Sequence, residues 1–515
     1  MGSARTHPVW EQLAETGGSV EVLPGDVAPD VLVIGAGVAG AVTALRLAQD
    51  GRKVVVVDRE GPGAGETLRT TAHLASALDD RFYHLARWHG EDGARLAAES
   101  HAAAIDWIEA FVDGRENGCG FRRVPGYLFP YDGDDRRLRR ELDAARAAGL
   151  EVEYLEDGVP GVPAMRPALR FARQARIEMD VYLHALVDAA QGLGVRFFRA
   201  EVTRVDGGAR PVARLKDGGT LSAGAIVIAT NVPFHETVAI HTKQAAYRSY
   251  VVAGRVPADA VPDALLWDDG DPYHYVRLLP GRGGDGEALL LVGGEDHKTG
   301  QDEDPTAYVR LQDWTRAMFP AVTEFTHDWS GQIIEPNDGL AFIGRDPGGE
   351  DNVYIVTGDS GNGVTHGTLA GLLLADLVAD RANPWAALYD PKRKMFRGIG
   401  EWLRENANVA VQYADWIGGG DIRTLHELAP GEGAVLRHGL HRVAVYRTGE
   451  GTLCAHNARC THLGCAVRWS ATEKSWNCPC HGSRFDAQTG AVLNGPAVRP
   501  LAPFDPAAVD DRERA

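Results

Sequence analysis

The stretch VLVIGAGVAG at residues 31–40 restricts the fold of this chain more than any other. Its apolar start reads as a buried strand, after which Gly35, Gly37 and Gly40 form Gly-x-Gly-x-x-Gly at the entry to a helix. Gly35 permits a tight turn, Gly37 lets backbone approach a pyrophosphate, and Gly40 lets helix and strand pack closely. The helix runs on through AVTALRLAQD and stops at Gly51. KVVVVD follows as a second buried strand ending at Asp58, 18 residues after Gly40. Amides at the helix start face a diphosphate along the helix dipole, and Asp58 is placed to accept from ribose hydroxyls. The unit predicts dinucleotide binding; the bland alternative is an apolar β-α-β unit with incidental glycines.

The motif alone does not choose between FAD and NAD. A distant segment, GDSGNGVTHGTLAGLLLADLV, favours FAD: Gly358, Gly361 and Gly363 open an apolar helix whose amides would stabilise negative charge on a reduced flavin ring. No second fingerprint of comparable quality exists, so one dinucleotide is expected. Between these segments, residues 245–300 alternate in the manner of an antiparallel sheet.

Residues from about 30 to 380 resemble the D-amino-acid oxidase/glycine oxidase-like superfamily of FAD-dependent amine oxidoreductases. The matching pieces are VIGAGVAG, the Asp58–Arg59 strand end, EVTRV with GAIVIATN, LLLVGGEDHKTG, NDGLAFIG and SGNGVTHG. Asn231 stands where the family usually has glycine. The resemblance implies an α/β dinucleotide-binding fold with an interleaved antiparallel-sheet substrate domain, and non-covalent FAD. It implies flavin contacts from Arg59, Arg69, Thr70, Thr71 and His73, and from Gly361, Asn362, Gly363, Val364 and Thr365, with Val202 contacting adenine through its backbone. The family's chemistry removes hydride from a carbon bearing an amine nitrogen. Tyr247, Tyr250, Tyr273, Tyr275 and Arg277 lie on the expected substrate-domain strands. Of these, Tyr250 and Tyr275 are the candidate pocket walls and Arg277 the candidate clamp for a substrate carboxylate.

Five of the six cysteines fall between Cys454 and Cys480, beside histidines, which reads as a metal site rather than a disulfide scaffold. Cys460 and His462 form Cys-x-His, and Cys478 and His481 form Cys-x-x-His, with 15 residues between His462 and Cys478. Two thiolates and two imidazoles on paired loops suit a Rieske 2Fe–2S centre. A structural zinc site uses the same ligand types. Residues of roughly 420–503 closely resemble Rieske domains through CTHLGC, WNCPCHGSRFD and the GPA at Gly495. That resemblance implies a Cys465–Cys480 disulfide of the cytochrome-bc type and a Ser483 hydroxyl bonded to a bridging sulfur. Phe485 stands where high-potential members have tyrosine, so the potential is expected below the top of the Rieske range of roughly −150 to +300 mV. Cys119 and Cys454 have no assigned chemistry and read as small buried apolar residues.

With 515 residues the chain has room for several units. We expect an N-terminal arm over 1–28, an FAD-dependent oxidoreductase over 29–415, and a small all-β Rieske domain over 416–515 beginning at the WIGGGD run. Within the second unit, FAD-binding parts are expected at about 29–80, 195–232 and 330–380. A formal charge of −18 argues against nucleic acid as a partner. No membrane-spanning run and no leader are seen, so the expected compartment is the cytoplasm. Together the motifs point to a dehydrogenase: an amine or amino-acid-like substrate reduces FAD, and the Rieske cluster passes electrons to an external acceptor such as a ferredoxin or a cytochrome. The alternatives are inward flow through the cluster, driving flavin-dependent reduction or oxygenation, and an electron carrier or redox sensor without its own substrate. The oligomeric state is left open.

Overall fold

A computed structural model describes residues 7–10, 28–235, 238–301, 304–394, 416 and 420–507. A six-stranded sheet runs in the order Phe342–Arg345, Val353–Thr357, Ala225–Ile228, Val31–Ile34, Val54–Asp58, Arg196–Arg199. All pairs are parallel except the edge strand Phe342–Arg345. Its central strands are apolar on both sides because both faces are covered. One face carries the helices Val38–Gln49 and Gly363–Val378, which approach so closely that a Cβ added at Gly371 would lie 2.4 Å from Val42 Cγ1. The other carries a three-stranded antiparallel sheet beginning at Val202–Asp206.

A nine-stranded sheet stands beside it, in the order Phe325–Pro336, Gln244–Pro257, Glu287–Lys298, Tyr275–Gly284, Leu265–Asp268, Arg122–Phe129, Ala168–Arg176, His73–Leu74, with Val152–Leu155 also paired to Ala168–Arg176. Its strand period of two separates two faces. Tyr250, Val252 and Val256 pack into one apolar cluster, whereas Val251 and Ala253 join the main core. A long helix, Phe82–Val112, breaks at Gly90, where φ is 80°. Beyond residue 420 come a three-stranded and a four-stranded antiparallel sheet, whose core holds Cys460, Cys465, Cys478, Cys480, Trp476 and Phe485.

Most of the expected N-terminal arm and much of the WIGGGD run lie outside the described residues. In the described part of the arm Val9 and Trp10 are buried, and Trp10 Nε1 donates to Thr70 O at 2.7 Å. Among the described residues no helix is long and apolar enough to cross a membrane.

Candidate functional site

A cavity of about 370 Å³ opens at the carboxyl edge of the six-stranded sheet, against the nine-stranded one. Its floor is a cradle that side chains would fill. Gly35 has φ +107°, and a Cβ there would lie 2.2 Å from Ala229 O; at Gly37 it would lie 2.8 Å from Thr67 Oγ1. A Cβ at Gly40 would lie 1.9 Å from Gly35 O, so all three glycines let neighbouring chain approach closely, and Gly35 and Gly37 also line the cavity. Asp58 Oδ2 accepts from Ala36 N at 2.9 Å, and Oδ1 from Glu60 N and Gly61 N. Oδ2, with a single partner, keeps a further acceptor position for a ribose hydroxyl. Val202 and the turn Gly361–Val364 line the far walls. These features fit an extended dinucleotide.

Arg69, Thr70, Thr71 and His73 all line the cavity. Arg69 Nε donates to Ser330 O at 2.6 Å. His73 meets Thr71 Oγ1 at 3.0 Å through Nδ1 and Val276 O at 3.3 Å through Nε2. Burial, then the Arg277 charge, pushes its pKa down to about 3, so the ring is neutral. Tyr275 reaches the cavity because it pairs with Gly293, where a Cβ would lie 2.0 Å from its ring. Its hydroxyl meets Ser249 Oγ at 2.8 Å, and the Tyr273 hydroxyl donates to Asp79 Oδ2 at 3.0 Å.

Five expected residues are placed differently. Arg277 is fully buried and donates to the carbonyls of Thr71, Ala72 and Ile177, so it anchors the loop at residues 71–72 and does not line the cavity. Tyr250 lies on the opposite face of the sheet, stacked on His297 and edge-on to Tyr308. The Thr365 hydroxyl turns to Asn362 O and His101 Nδ1, away from the wall. Arg59 reaches the wall, but its guanidinium holds the carbonyls of Val492 and Leu493. Tyr247 stays off the wall, under the Lys298 ammonium.

The second site lies on two loops of the C-terminal sheets. Cys460 and Cys478 face each other; Cys460 receives the Ser483 hydroxyl and the amides of His462 and Leu463, and Cys478 those of Cys480 and His481. The His462 and His481 rings lie edge-on at 5.0 Å. Both Nδ1 atoms are buried without a hydrogen-bond partner, and burial holds both pKa values down to about 4. Neutral imidazoles with a free nitrogen beside two sulfurs are the donor set a 2Fe–2S cluster takes, so the residues fit that group. Cys465 and Cys480 form a disulfide between the loops. Phe485 is buried, as is Cys119, while Cys454 is only partly buried.

The two sites share a wall. Arg484, Asn494 and Ala497, from the C-terminal sheets and their loops, line the cavity with Gly35, Asp58 and His73. Asn494 Nδ2 donates to Glu66 Oε1 at 2.7 Å, and Gln332 Nε2 to Gly482 O at 2.9 Å. Glu473, from the turn before Ser475–Asn477, is buried between Arg248 at 3.0 Å and Arg484 at 2.7 Å, and accepts from Ser330 Oγ at 2.6 Å. Burial raises its pKa, but the two guanidinium groups outweigh this and hold it at about 2. His241 packs its ring 5.0 Å from His462 and 5.9 Å from His481. Sequence reasoning missed His241, Glu473, Asn494 and Trp10, which carry no motif; only tertiary contact marks them.

The family model described as FAD dependent oxidoreductase (DAO) matches residues 30–377, and that for the Rieske [2Fe-2S] domain matches 421–505. The chain is 30% identical over 493 residues to the Rieske 2Fe-2S iron-sulfur protein YhfW of Bacillus subtilis (strain 168), covering 95% of each. Its C-terminal part is 61% identical over 46 residues to cytochrome b6-f complex iron-sulfur subunit 1 of Nostoc sp., or 9% of this chain and 25% of that one. Among solved structures, glycine oxidase from Geobacillus kaustophilus superposes with a TM-score of 0.59 at 20% identity, covering 72% of this chain and 100% of that one. L-proline dehydrogenase from P. horikoshii gives 0.59 at 18% identity, with 72% and 98% coverage. At such identities the likeness is one of fold.

Proposed function

Because this chain belongs to the FAD dependent oxidoreductase (DAO) family and carries a Rieske [2Fe-2S] domain, we propose that it is a dehydrogenase acting on a C–N bond of an amine or amino-acid-like substrate. When bound, FAD supplies hydride acceptance from the carbon beside nitrogen, and the 2Fe–2S cluster supplies one-electron transfer onward to an external acceptor. The observation that carries this reading is the shared wall: Asn494 and Ala497 of the iron–sulfur part line the same cavity as His73 and Tyr275. Structural neighbours named glycine oxidase, L-proline dehydrogenase and L-amino acid deaminase support C–N chemistry on this fold.

Each residue then has a task. Gly35 and Gly37 open the cradle for the diphosphate, Asp58 takes a ribose, and the Val202 backbone borders the adenine. Tyr273 and Tyr275 hold the substrate beside the ring, and neutral His73 keeps that wall free of positive charge. The Trp10 and Arg277 bonds to the carbonyls of residues 70–72 fix the loop against which the ring lies. Cys460, His462, Cys478 and His481 hold the cluster, and His241 seals its inner side from water.

Anaerobic mixing of the purified holoprotein with amines and N-alkylated amino acids tests the reading. Flavin absorbance and the EPR signal of reduced cluster are followed together. Bleaching of the flavin followed by growth of that signal is expected. If every amine leaves the flavin oxidised while a reduced ferredoxin fills both centres, flow is inward and the assignment falls.

A further inference from the structure

We propose that the cavity takes an amine bearing a second positive charge and no carboxylate, an aliphatic diamine or longer polyamine. The inference rests on the reading of this cavity as the place of C–N oxidation.

The wall beyond Tyr273 and Tyr275 is acidic. Asp79 and Asp359 line the cavity, with Asp79 so close to Gly361 that a Cβ there would lie 2.0 Å from its Oδ2. Asp80, Asp296 and Glu335 stand behind them, and Glu335 feels the charges of Asp80, Asp296, Asp79 and Asp359. Asp296 occupies the register shift between Arg248 and Tyr250, beside Ser249 on the cavity face. Both its oxygens are buried; Ser249 is the neighbouring donor, and neither oxygen receives a well-formed hydrogen bond. Tyr273, Tyr275 and Asp79 complete its surroundings, with the imidazoles of His274 and His297 nearby. Burial pushes Asp80 and Asp359 up to about 6 and Asp296 up to about 7. A cation placed among them would offset both the repulsion and the desolvation.

The protein's own cations are committed elsewhere. Arg81 lies near Asp79 and Asp80 and donates to Asp268 O. Among the arginines that line the cavity, Arg59 holds carbonyls of residues 492–493, Arg69 holds Ser330 O, and Arg484 is paired with Glu473. Arg277 is bound to three backbone carbonyls, so a substrate carboxylate would meet acids where it needs a guanidinium. Among the described residues no three of these carboxylates bring oxygens within 4.8 Å of one another, which spreads them too widely for one metal ion and suits an extended organic cation.

The test compares putrescine and spermidine with γ-aminobutyrate, which replaces the second ammonium by a carboxylate, and with butylamine. Anaerobic flavin bleaching by putrescine or spermidine, faster than by γ-aminobutyrate by about tenfold or more, is expected from the loss of one charge-assisted contact. Asp296→Asn should raise KM for putrescine by about tenfold while leaving KM for butylamine within about twofold. Bleaching by γ-aminobutyrate or α-amino acids but not by the diamines overturns the cationic class and leaves C–N oxidation standing. If no amine bleaches the flavin, the C–N reading falls, and the cation site is judged by putrescine-induced changes in the oxidised flavin spectrum. A change lost in Asp296→Asn supports the site, and no change overturns it.

Discussion

Glu141 carries a pH response that belongs to one side chain. Its carboxyl is buried and accepts from Phe82 N at 3.0 Å, where the helix Phe82–Val112 begins. Burial raises its pKa from the ordinary 4.5 to about 7. The protonated form is therefore favoured in the folded chain, and the stability it contributes is full below pH 4.5 and lost as pH rises through about 7. Glu141→Gln keeps a neutral acceptor, so urea denaturation should show the variant gaining on the parent by roughly 3 kcal/mol between about pH 5 and about pH 8. An equal pH slope in both proteins would refute this. At this scale the Cys-x-His and Cys-x-x-His loops were legible, because the spacing of Cys460, His462, Cys478 and His481 is printed in the chain. Arg277 was not. Strand alternation places it on the right face, but what covers it, the carbonyls of Thr71, Ala72 and Ile177, comes from distant segments.

Among elements, the first strand–turn–helix unit was readable because all its constraints are local. Gly40→Ala sets a methyl group 1.9 Å from Gly35 O, a backbone atom that cannot swing aside. The purified variant should hold little flavin by its visible absorbance, whereas Gly192→Ala, with open space around its Cα, should retain it. Equal flavin content in the two variants would contradict the cradle. Within the nine-stranded sheet, residues 245–300 were readable as antiparallel strands but not as a wall of charge, and the parallel pairing of Leu265–Asp268 with Arg122–Phe129 was not foreseen. Asp79, Asp296, Glu335 and Asp359 are scattered across the sequence as ordinary surface-looking acids. Only the pairing of Gln244–Pro257 with its two neighbours, with a bulge beside Ser249, brings Asp296 to the cavity end where Asp79 and Asp359 stand.

For the whole molecule the decisive feature is the junction at Glu473. Removing its carboxylate leaves Arg248 and Arg484 buried and unpaired, a loss of about 3–5 kcal/mol when one partner of a buried pair goes. Calorimetry of Glu473→Ala should resolve separate transitions for the flavin and iron–sulfur parts where the parent unfolds in one. A single unshifted transition in the variant would show that the junction is not held there. The sequence offered no sign of this, since Glu473 reads as one more residue of a polar turn, ATEKSW. The shared wall also orders events during synthesis. The nucleotide fingerprint leaves the ribosome with residue 40, yet the cavity is closed by residues as late as Val498. Tight retention of the nucleotide is therefore a property of the finished chain, and a polypeptide released early would emerge with its cofactor cradle built and its cavity open on one side.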